Sequence, residues 1–278
     1  MFAHNSRNSR NFRCPTSLLI VCVSLFYSVG SDTVAQPASL DTSIYADNQQ
    51  DTYTRCLVAA DVEPETGLEM ARRWIRLKGG EPAEHCAAAA LIGLGDPEEA
   101  ALRMRTLAEK SNGAPSIRAG LWAHSGRAWM DAGDYGQALR SFNNALVLHD
   151  KDSEVYLDRA LTFAVLDEYW SAIDDLNRVI DRHPNALEAL VLRGSAYRIL
   201  NVIDLASDDI DRALSTDPNS VDALLEKGLL AEAKGETDSA RALWVRVLEL
   251  APTSEAGDAV RTHLERLDLK IEPSVETE

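Results

Sequence analysis

One interval governs this chain. Stepping thirty-four residues at a time from Ala138 gives Ala172, Ala206 and Ala240. Gly126 leads to Ala160, Gly194 and Gly228, and Phe142 to Leu176, Ile210 and Trp244. Ala145 leads to Val179, Ala213 and Val247, and Trp129 to Phe163, Tyr197 and Ala231. A further slot holds Asp150, then Pro184, Pro218 and Pro252. No gap interrupts the copies 119–152, 153–186, 187–220 and 221–254. Small and large residues held in phase this long describe a supersecondary unit that buries its apolar face only by stacking on the next copy.

Each copy reads as two helices. Trp122, Gly126 and Trp129 fall at i, i+4 and i+7, on one face of the first; Ala138, Phe142 and Ala145 share a face of the second. Between them lies a turn at Gly133-Asp134, repeated at Asp167-Glu168, Asn201-Val202 and Gly235-Glu236. Asp152, Asn185, Ser220 and Ser254 suit the N-cap of the following helix, and the prolines stop the second one. Antiparallel helices approach closely only where one offers a very small side chain. Gly126 and Ala138 make that room, and Phe142 and Trp129 fill the volume around it.

The stretch "LWAHSGRAWMDAGDYGQALRSFNNALVL" resembles the tetratricopeptide repeat, whose Trp, Leu-Gly, Tyr, Ala, Phe and Pro positions it follows, with Ser125 where that family usually has leucine. The resemblance implies an all-α fold, a right-handed α-solenoid of antiparallel helix hairpins. A weaker copy precedes it, with Ala88, Leu91, Gly95-Asp96, Ala100, Met104 and Leu107 in the same slots; 48–118 is expected to form degenerate N-terminal hairpins. Residues 255–270 read as a capping helix, with Ala259, Leu264 and Leu267 toward the stack. Residues 36–47 and 271–278 are expected to be mobile.

In that family the first helices line a concave face that receives peptide segments of other proteins. The resemblance places Ala123, Arg127, Met130, Leu157, Leu161, Val165, Val191, Ser195, Arg198, Leu225, Leu229 and Glu232 on it. Leucines stand where carboxylate-clamping members present Lys and Asn. The expected occupant is therefore an amphipathic or extended segment, its polar ends fixed by Arg127 and Arg198. Leucines packed tightly between repeats are the alternative.

The N-terminus speaks to location. Arg7, Arg10 and Arg13 precede the apolar run "SLLIVCVSLFYSVG", and Thr33 and Ala35 sit as small residues before a cut. That order describes a secretory signal peptide over 1–35, with a retained membrane anchor as the alternative. Its removal takes three arginines and one aspartate and moves the net charge from −16 to −18. Such a surface disfavours nucleic acid and anionic lipid. Cys14 and Cys22 leave with the leader, and Cys56 and Cys86 remain as an even pair, expected to form a disulfide in an oxidising compartment.

Chemistry is harder to find. The six histidines form no zinc spacing, and there is no G-x-S-x-G. His85 beside Cys86 reads as a packing residue, and Asp174-Asp175 and Asp208-Asp209 as solvated outer-face charges. The expectation is a periplasmic, non-enzymatic scaffold with protein partners, no catalytic or metal residues, no cofactor, no small-molecule substrate, and membrane contact only if the leader is retained. A membrane-tethered assembly subunit, or an enzyme with a site in the groove, are the other classes.

Overall fold

The computed structural model describes residues 49–271. The signal-peptide reading of 1–35, the segment 36–47 and the tail from 272 onward lie outside the described residues. Within them are thirteen helices and no strand: α1 Gln49–Val62, α2 Pro64–Arg76, α3 Gly80–Gly93, α4 Pro97–Lys110, α5 Pro115–Asp131, α6 Tyr135–Leu148, α7 Ser153–Val165, α8 Tyr169–Arg182, α9 Leu187–Ile199, α10 Ile203–Thr216, α11 Val221–Ala233, α12 Thr237–Leu250 and α13 Glu255–Ile271. Each odd-numbered helix up to α11 pairs with the even-numbered one that follows, and hairpins stack in chain order.

The turn inside each of the four regular hairpins needs one residue in the left-handed region, and the period supplies it. Gly133 and Gly235 have φ of 77° and 79°. Asp167 and Asn201 adopt 61° and 59° at the matching sites, as short polar side chains can. Asp134 then caps α6, accepting from the Gln137 amide, as Asp96 caps α4 from Glu99. Asp152, Ser220 and Ser254 accept helix N-terminal amides as expected. Asn185 does not: α9 starts from Ala186 with no side-chain cap.

The interlock of small and large residues is visible atom by atom. A Cβ on Gly126 would lie 2.5 Å from the Phe142 ring, and one on Gly228 only 2.1 Å from Nε1 of Trp244. On Gly194 it would meet Ile210 Cδ1 at 2.8 Å. The second copy solves the same problem with Ala160 against the slimmer Leu176, both buried. The four alanines at 138, 172, 206 and 240 are fully or almost fully buried.

One cluster of buried residues runs from Cys56 through Ala223 and Leu230, and a second closes the C-terminal end; Leu214 of α10 packs against both. At that end α13 buries Ala256, Val260 and Leu267, while Leu264 and Ala259 are half-buried. Val260 is thus the deepest anchor of the cap. At the other end Cys56 of α1 and Cys86 of α3 form a disulfide, with both residues buried. It ties the first helices of two adjacent hairpins.

Candidate functional site

The polar side chains sort onto two surfaces. The first joins first helices to second helices. Arg159 of α7 donates two hydrogen bonds to Asp175 of α8, at 2.7 and 2.6 Å, and a third to Asn143 of α6 at 2.5 Å. One period later Arg193 of α9 does the same with Asp209 of α10, at 2.7 Å twice, and with Asn177 of α8 at 2.6 Å. Each arginine therefore bridges its own hairpin to the preceding one. Asp175 and Asp209 are buried, which corrects the reading of both as outer-face charges; only Asp174 and Asp208 are exposed. A fork of planar donors on a carboxylate is the geometry that makes such burial tolerable.

The ladder ends at both sides. In the fourth copy Lys227 replaces the arginine and pairs with Asp211 at 2.5 Å, while Leu243 takes the aspartate's place. In the first copy the pair becomes Ser125 and Ser141, 3.4 Å apart, and Ser125 donates to the Ala101 carbonyl at 2.9 Å. Ser125 thus bonds α5 to the hairpin before it.

The second surface joins consecutive first helices, where the docking residues were expected. Arg127 of α5 reaches across to α7, with Nε 2.7 Å from Asp158 and Nη2 3.4 Å from Glu154. Arg198 of α9 reaches Glu226 of α11 at 2.7 Å, and the Ser195 hydroxyl donates to the same carboxylate at 3.0 Å. Glu232 accepts from Arg266 of the cap at 2.8 Å and lies 3.3 Å from His263. Both arginines expected to hold a partner's polar ends are thus held by this chain's own acids. The leucine signal is also thinner than expected: Ala123, Val191, Ser195, Leu225 and Leu229 are buried. Met130, Leu157 and Leu161 are half-buried, and Val165 is the most open of the set. Leu161 lines a small internal gap with Leu192, Ser195 and Ile199 between the second and third copies.

The acids along this face crowd one another. Partial desolvation, then the charges of Asp158 and Asp222, raise the Glu188 carboxyl above its ordinary value. Desolvation and then Glu226 raise Asp222. Asp158 is raised by desolvation, against the lowering pull of Arg127. Glu188 stands on α9, which packs between α7 and α11.

Toward the N-terminal end, the Tyr53 hydroxyl lies 2.8 Å from Nδ1 of His85, whose ring meets that of His124 edge-on at 5.2 Å. These residues stand on α1, α3 and α5. Crowding by protein lowers the pKa of both histidines, with the charges of His85 and Arg127 adding to the effect on His124. Both are therefore neutral near pH 7, and their contribution to stability is present above about pH 6.5 and is lost as pH falls. Among the described residues no group of three or more His, Cys, Asp or Glu is placed to hold a metal ion. None of the described helices is long and apolar enough to cross a membrane.

Hairpins in register, and in the four regular copies a left-handed residue in the turn and a small-against-large contact at the crossing, match the pattern of one repeat family. The tetratricopeptide repeat signature matches residues 125–186 and 200–255. Over these stretches the chain is built of tetratricopeptide repeats. A tetratricopeptide repeat protein from Parabacteroides merdae is 24% identical, with a TM-score of 0.57 over 66% of this chain and 75% of its own. MamA from Desulfovibrio magneticus is 21% identical, with a TM-score of 0.53 over 60% of this chain and 93% of its own. YrrB, described as a tetratricopeptide repeat protein with an unusual peptide-binding site, is 17% identical, with a TM-score of 0.52 over 69% of this chain and 96% of its own. These likenesses establish the fold. No curated protein matches the chain.

Proposed function

We propose that this tetratricopeptide repeat protein is an exported, non-catalytic scaffold of the cell envelope that holds a segment of another protein against its first-helix face. The observation that carries the reading is the alignment of α5, α7, α9 and α11 along one surface, shown by the contacts from Arg127 to Asp158 and from Arg198 to Glu226. A stacked array presents such a surface as a continuous strip, longer than a single domain of this size offers. The peptide-binding site described for YrrB, which shares the fold, agrees with that use. Export rests on residues 1–35 and on the Cys56–Cys86 bond, a linkage that persists in oxidising compartments.

The test is a photo-reactive amino acid placed in the full chain at Glu154, which is widely exposed on this face, or at Asp174 on the opposite helix row. Expression in a bacterial host with an envelope should give a defined protein adduct from position 154 and none from 174. The purified mature protein should also begin near residue 36 by mass. Equal labelling from both positions contradicts docking on the first helices, and an intact N-terminus in the cytosolic fraction contradicts export. Leu229→Glu is no substitute, because that leucine is buried and the change would test folding.

A further inference from the structure

The charge left over on the first-helix face says what kind of segment fits it. Arg127 is occupied by Asp158 and Glu154, Arg198 by Glu226, and Glu232 by Arg266. Glu188 and Asp222 have no cationic partner among the described residues. They occupy one and the same slot of the repeat as Glu154, so a carboxylate recurs once per copy on α7, α9 and α11. Adjacent packed helices lie on the order of 10 Å apart, which is about three residues of chain extended in the polyproline II form, where every third side chain shares a face. Three residues from Glu154 on α7, the half-buried Leu157 supplies apolar surface.

We infer that the segment docked on this face is an extended, cationic peptide, with a lysine or arginine about every third residue facing the carboxylates of Glu154, Glu188 and Asp222 and with apolar residues between them. The inference rests on the docking reading above and fixes the partner's sign of charge. It reverses the expectation from sequence, in which Arg127 and Arg198 would receive a partner's polar ends. An acidic tail brought here meets arginines that are already neutralised and carboxylates that repel it. A basic segment gains charge-assisted contacts and relieves the mutual repulsion of the acids.

The test uses three labelled twelve-residue peptides of Leu, Ser and one variable position in three: lysine, glutamate or serine. Binding to the purified full chain is read by fluorescence anisotropy. The lysine peptide should bind about tenfold or more tightly than the serine peptide, weakening as salt is raised, and the glutamate peptide should be weakest. Glu188→Gln with Asp222→Asn should remove most of that advantage. Asp174→Asn with Asp208→Asn, which deletes the same charge from the second-helix side, should leave it within about twofold, since distant screened charges contribute little. Equal loss in both double variants would mean non-local attraction to an acidic protein and would overturn the inference. Equal binding of lysine and serine peptides, or tightest binding of the glutamate peptide, would overturn it while leaving docking intact. Failure of all three peptides to bind would remove the docking reading and this inference together.

Discussion

Asp175→Ala is expected to destabilise the protein by about 3–5 kcal/mol, the cost typical of stripping one partner from a buried ion pair. The aspartate side chain is 4% exposed and that of Arg159 18%, so the guanidinium cannot simply turn to water. It would keep Asn143 and the flanking rings of Tyr156 and Phe163, but no counter-charge. Replacing both members, Arg159→Leu with Asp175→Leu, should recover much of the loss, because no charge is then stranded. The chain itself omits the pair twice, as Ser125 with Ser141 and as Lys227 facing Leu243. Urea unfolding followed by circular dichroism measures both. A single variant within about 1 kcal/mol of the parent, or a double variant no better than the single, would show that the ladder does not couple the hairpins as described.

Removing the disulfide should be the second large effect. Cys56 and Cys86 are separated by thirty residues, a closure worth about 3–4 kcal/mol in the chain-entropy description. Cys56→Ser with Cys86→Ser is expected to lose that much, and to lose it locally. In a stack, each hairpin is stabilised mainly by its neighbours, so α1 and α2 should open while the copies from α5 onward keep their protection. Hydrogen exchange resolved by peptide distinguishes this from uniform weakening. Uniform weakening would mean that the N-terminal hairpins and the regular copies unfold as one unit. No change anywhere would mean that packing of Leu68, Ala71 and Ala87 already holds that end.

Much of the architecture was legible because its cause is local and periodic. Gly126 against Phe142, the turns at 133, 167, 201 and 235, and the caps at Asp152, Ser220 and Ser254 each follow from residues within one thirty-four-residue copy, repeated in phase. The polar ladder was missed for a physical reason. Asp174-Asp175 looks like a pair of surface charges, yet consecutive helical residues point about 100° apart and only one faces solvent. The signal was present in the same period: Arg159 and Arg193, Asp175 and Asp209, and Asn143 and Asn177 are each thirty-four residues apart. The electrostatics of the first-helix face could not be seen in this way. Arg127 finds Asp158, and Arg198 finds Glu226, across helices whose spacing only the stack determines. Cationic residues that looked available in the sequence are spent within the fold.

The central claim is that one row of helices docks a segment while the other row does not, and amide NMR of the full chain titrated with the leucine–lysine peptide addresses it most directly. The account predicts shift changes around Glu154, Glu188 and Asp222 on α7, α9 and α11, with α8, α10 and α12 unmoved. Changes concentrated on α8, α10 and α12, or scattered evenly over the acidic surface, would contradict it.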